Sequence, residues 1–487
     1  MAPRPGDTAA QARSDKWFMP LAVLVGALAF LAYGISASSI AVMTGGAILG
    51  AAAMFLVPTR ALPAIALWLL VLLPIGFMDI PGLIGDFFTP AVLVSAIWMI
   101  RLAFAQRMSL LLQMPIRGWL IAIPFVALLS MSTVASQRID VTAVWIAVFV
   151  ICVVTPALVG QICMDDVWPT VRFALASIGL FLGLLALSDF FFHVNPWLAL
   201  YQDELIGSSV FRTRTSLGHP LTTAMVACIS LTACVFPSGR SSRQWPYPLC
   251  GLGALTAVIL SVSRTSIFTI GVAAAVGIAS ALPSADGSPA PARGSGGRLT
   301  LVILAITLFG AVALSPLMSQ RNAASEGINS ASYRSQVLNM AMDIVAERPL
   351  LGFGPGTSTR IYDYYARAPL ENSALQLMVS IGIPAFVLFL IGLSMVVFAA
   401  MRRGRAGPAA GIVAFFISTA GFNIIDASPA FFALLSPLIV CAVLPAKTNS
   451  ARSSAETKRD STSASCTLSI VHDYQRRDGC GQSASAN

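Results

Sequence analysis

The chain has 487 residues, of which 56% are hydrophobic and 10% charged, with a formal net charge of +9. A soluble globular domain carries about 25% charged residues, so a water-soluble single-core enzyme, a disordered chain and a coiled coil are excluded. A polytopic membrane protein remains, and continuous rather than alternating apolar runs select helices over an outer-membrane barrel.

Fourteen candidate helices follow in chain order, near 17–34, 38–57, 61–77, 88–106, 116–134, 141–163, 170–192, 217–236, 247–263, 265–282, 299–317, 374–400, 408–424 and 428–445. Crossing a bilayer takes about 20 residues per helix. The pattern predicts an all-α fold: a polytopic membrane helix bundle of about 12–14 transmembrane helices over 17–445, between a cytoplasmic tail at 1–16 and a polar, Ser-rich tail at 446–487. The latter lacks apolar periodicity and is expected to be disordered. The first run follows Arg13 and Lys16 and ends near Ser36. A second apolar segment begins almost at once, so an uncleaved helix is expected rather than a signal peptide. The eight cysteines and three histidines show no C-x-x-C or H-x-x-x-H spacing, so no disulfide framework, metal site or cofactor is expected.

Orientation follows from Lys and Arg in alternate loops. With the N-terminus inside, the inner segments before the tail hold fifteen basic residues and the outer segments nine. Five of the outer nine lie in one long loop, 318–373, and long loops translocate largely regardless of charge. Without that loop the ratio is fifteen to four. The basic balance is thus a topology signal, and no nucleic-acid partner is expected. The inner segment 283–298 is a Pro/Gly/Ser linker.

The unusual residues sit on the outer face. The segment 193–216 leads into FRTRTSLGHP, with Arg212, Arg214 and His219. Arg264 lies in ILSVSRTSIF between two apolar runs. An arginine at membrane depth costs about 2.5–3.5 kcal/mol and usually faces a cavity or a partner. In the long loop, 333–347 reads as an amphipathic surface helix with Val337, Met340, Ile344 and Val345 on one side, Ser330 or Ser332 as its cap and Pro349 at its end. RPLLGFGPGT (348–357) is either a tight turn or a weak phosphate loop without the Lys such loops carry. PLENSALQLMVSIGIP follows at 369–384. Arginine's planar fork suits phosphate, so several arginines near one membrane surface point to a lipid-linked phosphate or diphosphate.

Together, R-x-x-x-S-x-G-H-P, S-R-T, R-P-L-L-G-F-G-P-G and E-N-S-A-L-Q-L-M-V-S-I-G-I-P, spread over 205–395, resemble the bacterial O-antigen ligase and Wzy-type polymerase superfamily. The resemblance implies a C-type glycosyltransferase fold in the inner membrane with its active site on the periplasmic side. It implies an undecaprenyl-diphosphate-linked glycan donor, a glycan or glycolipid acceptor, and no metal or nucleotide sugar. Arg264 matches the family's arginine in the S-R element, and Arg212 or Arg214 the one before G-x-P; Arg334 and Arg360 are looser substrate-binding candidates. Where ligases of this family carry His-Asn, this chain has Glu371-Asn372. Glu371 then becomes the acceptor base, with Asn372 and His219 positioning sugars. The swap favours a repeat-unit polymerase over a ligase onto a lipid A core. A transporter of lipid-linked saccharide is the competing class, although the paired repeats typical of transporters are not evident.

Topology reporters test the orientation. A reporter fused after Pro291 should be active in its cytoplasmic form and one after Ala323 in its extracytoplasmic form; a cytoplasmic signal at Ala323 would invert the bundle.

Overall fold

The structure, a computed structural model, describes residues 50, 53–73, 89–105, 116–136, 138–161, 163, 166–197, 212–236, 246–281, 310, 325–366, 370 and 372–445. Among them every regular element is helical. In chain order these are α1 (Leu62–Leu72), α2 (Pro90–Ala105), α3 (Ile116–Val134), α4 (Ile139–Val159), α5 (Trp168–Phe192), α6 (Pro220–Val235), α7 (Pro246–Leu260), α8 (Arg264–Ala281), α9 (Ser325–Glu347), α10 (Ser358–Ala366), α11 (Ser373–Arg402), α12 (Ala406–Thr419) and α13 (Phe432–Val443). α4 carries a π-helical turn at Val150–Val154.

Among the described residues, α4, α5 and α11 are long and apolar enough to cross a membrane, and eight further apolar helices are shorter. These account for eleven of the predicted candidates. The candidate 17–34, and all but a few residues of 38–57 and 299–317, lie outside the described residues, as do the 283–298 linker and the 446–487 tail. Starts are sharpened by proline at the first helical position in α2, α6 and α7, where its missing N–H costs nothing.

The bundle is a membrane fold by its surface as much as by its core. Leu120, Ile123, Phe173, Leu184, Phe191 and Phe268 are all exposed, as side chains facing lipid must be. Between helices small residues allow close approach. A Cβ on Gly183 of α5 would stand 2.3 Å from the Gly253 carbonyl oxygen of α7, and one on Gly179 would stand 2.8 Å from Ala254 Cβ.

At one end of the bundle, arginines cap helix C-termini. Buried Arg172 donates from Nε to Ala233 O (2.9 Å) at the end of α6 and lies 3.5 Å from the centre of the Tyr247 ring. Arg403 donates to Val443 O at the end of α13 (2.5 Å), and Arg405 stands 4.0 Å from Asp166. Carbonyls left over at helix C-termini, together with the helix dipole, favour cations there.

α11 is broken. Gly382 has φ 78°, and Pro384 follows inside the same helix. The break frees the carbonyls of Val379 and Ser380. The glycine-rich loop satisfies both, because Phe353 N donates to Val379 O and Gly354 N to Ser380 O, each at 2.9 Å. In return Ile383 N donates to Pro349 O (2.8 Å). α9 seals this junction from outside, burying Val337, Ala341, Ile344 and Val345 against Phe353, Tyr362, Leu375 and Val379. Two expectations are corrected. α9 begins at Ser325, so neither Ser330 nor Ser332 caps it. Met340 is exposed and Ala341 is buried in its place, on the helical face shared with Val337, Ile344 and Val345.

Gly352 tests the junction. It has φ +65°, and a Cβ there would stand 2.4 Å from Ser380 O. Gly352→Ala should lower stability by about 2–4 kcal/mol, from left-handed strain and overpacking together. Gly392→Ala, with nothing within 4 Å of the new Cβ, should leave the unfolding midpoint in detergent unchanged or slightly raised. Equal midpoints for the two variants would show that the loop does not brace α11.

Candidate functional site

The opposite end of the bundle gathers the starts of α6, α8 and α11, the C-termini of α5 and α7, and the loop 420–428 after α12. The 212–218 segment is pinned there by its backbone. Thr213 N donates to Leu260 O (3.3 Å), Arg212 Nε to Ser261 O (3.2 Å), and Arg214 N to Asp189 Oδ2 (3.1 Å). Thr223 Oγ1 donates to Arg214 O (2.7 Å), and Asn195 Nδ2 to Thr215 O (3.1 Å). Arg212 thereby reaches the end of α7 just before Arg264. Arg264 is the first residue of α8 and is exposed. The guanidinium groups of Arg214 and Arg264 make no hydrogen bond or ion pair among the described residues.

His219 is the N-cap of α6, with Nδ1 accepting from Leu221 N at 3.2 Å. Its ring stacks on Phe422, with centroids 6.2 Å apart and planes at 17°. Solvent reaches the ring, yet protein surrounds it closely: desolvation, helped by the charges of Arg212 and Arg214, pushes its pKa down to about 4. The imidazole is therefore neutral at pH 7. Because Nδ1 accepts, the proton sits on Nε2, which is left to donate to a ligand.

The loop 420–428 joins the remaining pieces. Gly421 lies against Thr265, whose Oγ1 would stand 2.4 Å from a Cβ at 421. Ser373 Oγ donates to Phe422 O (2.8 Å) and accepts from Ile424 N (3.2 Å). Asn372 caps α11, its Oδ1 accepting from Ala374 N (2.9 Å) and Leu375 N (3.2 Å). Its oxygen is thus committed to the helix, and the amide nitrogen is what it can offer a ligand. Arg212, Arg214, His219, Arg264 and Asn372 therefore border one region. Glu371 lies outside the described residues, directly before Asn372. Arg334 stands on α9, and Arg360 is exposed on α10; no described contact joins Arg360 to the others. The glycine-rich loop is not a phosphate cradle, since its Phe353 and Gly354 N–H groups are taken by α11.

Two acids absent from the predicted site matter here. Asp189 is 2% exposed and holds the backbone at Arg214. Asp426 is buried and accepts from Ser358 Oγ (2.5 Å) at the start of α10 and from Ser380 Oγ at the break in α11. It fastens the loop carrying Phe422 to the braced junction. Both were visible as lone acids in apolar sequence, LLALSDFFF and FNIIDASPAFF, where a charge is costly enough to mark a purpose.

Compared with known proteins, residues 249–390 match the family model described as O-antigen ligase. The match takes in Arg264, Arg334, Arg360, Glu371 and Asn372 but not Arg212, Arg214 or His219. No curated protein matches the chain.

Asp426 gives a pH test. Burial raises its pKa to about 6, against the hydrogen bonds from Ser358 and Ser380 that lower it. The unfolded value is about 3.9, so the neutral acid's contribution to stability is complete below about pH 4 and is lost as pH rises through about 6. Between pH 4 and 7 the wild-type protein should lose about 2 kcal/mol relative to Asp426→Asn. Unfolding profiles of the two proteins that run parallel across that range would contradict this.

Proposed function

From the match of residues 249–390 to the O-antigen ligase family model we propose that the chain is a membrane glycosyltransferase of that family. It moves a glycan from undecaprenyl diphosphate to an acceptor hydroxyl on the extracytoplasmic face, as a polymerase of polysaccharide repeat units. The observation that carries this reading is the convergence of Arg212, Arg214, Arg264 and His219 around the 420–425 loop, two of the guanidinium groups without a partner among the described residues. At the opposite end, Arg172 and Arg403 bind helix carbonyls.

The chemistry is one displacement at the anomeric carbon. The bond from that carbon to the diphosphate oxygen breaks as the acceptor oxygen bonds from the opposite side, which inverts the configuration. Negative charge grows on the departing diphosphate, and arginines fixed beforehand stabilise it without reorganising. The acceptor hydroxyl gives its proton to the Glu371 carboxylate. His219 Nε2–H and the Asn372 amide nitrogen donate to sugar or phosphate oxygens. No step calls on a metal.

Ligase activity onto a lipid A core is the second reading, favoured by the family model's own description; Glu371 in place of the ligases' histidine favours the polymerase. Deletion separates them: loss of a polymerase leaves single repeats, whereas loss of a ligase strands long chains on the lipid carrier.

Purified protein with a lipid-diphosphate donor tests the chemistry. Arg264→Ala should abolish transfer while the protein still accumulates, and Arg264→Lys should recover little, since an ammonium lacks the bidentate fork. Glu371→Gln should slow turnover by about 10² to 10⁴ with donor binding intact, and EDTA should have no effect. Wild-type turnover in Glu371→Gln would remove that residue from the mechanism, and loss of turnover in EDTA, restored by a divalent ion, would overturn the metal-free step.

A further inference from the structure

The 212–218 segment is held in a conformation its sequence disfavours. Thr215 has φ 54°, a left-handed value that is a genuine outlier for a β-branched residue. Val262, two residues before Arg264, has φ 49°. Both strained residues thus flank candidate arginines, and strain of this kind persists only where the surroundings over-determine it. At Thr215 they do. Asn195 holds its carbonyl, its Oγ1 lies 2.9 Å from Thr223 Oγ1, and Thr223 also holds the Arg214 carbonyl. Arg214 N–H goes to Asp189.

Asp189 sits in the last two turns of α5, an apolar helix long enough to cross a membrane. A carboxylate at 2% exposure in such a helix is costly unless positive charge balances it. Arg214 is the arginine whose charge reaches it.

We propose that Asp189 is a positioning residue of the donor site: it fixes the backbone at Arg214 so that the guanidinium is presented to the diphosphate of the lipid-linked donor. This rests on the reading of the site as a lipid-diphosphate site. Asp189 touches neither substrate nor reacting atoms; it acts through Arg214. The prediction is therefore one of coupling, since residues that act through one another are non-additive.

The test is binding of undecaprenyl diphosphate to the full chain in lipid nanodiscs, together with donor and acceptor KM in the transfer assay. Arg214→Ala and Asp189→Ala should each weaken diphosphate binding by about tenfold to a hundredfold, with acceptor KM unchanged. The double variant should bind no more than about threefold worse than Arg214→Ala alone. Asp189→Asn keeps an oxygen for Arg214 N–H and should recover most of the loss, which also guards against a variant that merely folds badly. Independent, multiplying losses in the double variant, or equal losses for donor and acceptor, would make Asp189 a general structural residue and overturn the proposal. Arg264→Ala separates the two readings. If Arg264→Ala and Arg214→Ala both bind like the wild type, or the wild type does not bind at all, the diphosphate site falls and the proposal with it. If both arginine variants bind weakly while Asp189→Ala binds normally, the positioning role alone falls.

Discussion

A guanidinium group cannot lose its charge in a protein, so wherever it leaves bulk water it must be surrounded by carbonyls or anions. The two ends of this bundle meet that requirement differently. At one end Arg172 and Arg403 take the carbonyls that α6 and α13 leave over at their C-termini, and the protein is its own ligand. At the other end α6, α8 and α11 begin while α5 and α7 end, and the carbonyl left over at Ser261 is taken by Arg212. The guanidinium groups of Arg214 and Arg264 make no hydrogen bond or ion pair among the described residues, and the N-termini of α6, α8 and α11 favour an added anion. An anionic ligand at that end would satisfy both the arginines and the helix starts.

The broken helix braces the parts that border this region. The break at Gly382 exposes two carbonyls in α11, and loop 349–354 covers them by giving up its own N–H groups. Asp426 then ties the start of α10 and the break to the 420–428 loop, whose Phe422 carries the His219 ring and whose backbone is stitched to Ser373. A chain of short contacts thus runs from the glycine-rich loop to the imidazole. Asn372, proposed for the acceptor, and Arg212 and Arg264, proposed for the donor, border the region that these contacts link.

The helices were legible in the sequence because each is a continuous apolar run, and the shifts at their ends have local causes. The span placed at 217–236 starts at Pro220, since His219 turns outward to cap it. Arg264 stood out as a charge between two apolar runs. The role of the glycines at 352–356 was not legible, because it depends on a helix break some thirty residues further on. A stretch that could be a phosphate loop by composition is a brace by contact. Asp189 and Asp426 were missed for a related reason. Each acts on backbone or hydroxyl groups far away in the chain, and only folding brings Arg214 to Asp189 and Ser358 to Asp426. The amphipathic helix was legible over 333–347, but it starts at Ser325, and its buried stripe runs through Ala341 rather than Met340.

Photo-crosslinking tests the shared diphosphate region most directly. A diphosphate lipid carrying a photoreactive group at the phosphate end, activated on the full chain in nanodiscs and read by mass spectrometry, should label peptides from 212–223, 261–268 and 420–426. Unlabelled undecaprenyl diphosphate should compete for all three together. Labelling confined to the glycine-rich loop at 348–357, or to the arginine-capped end around 172 and 403, would contradict a donor site built from Arg212, Arg214 and Arg264.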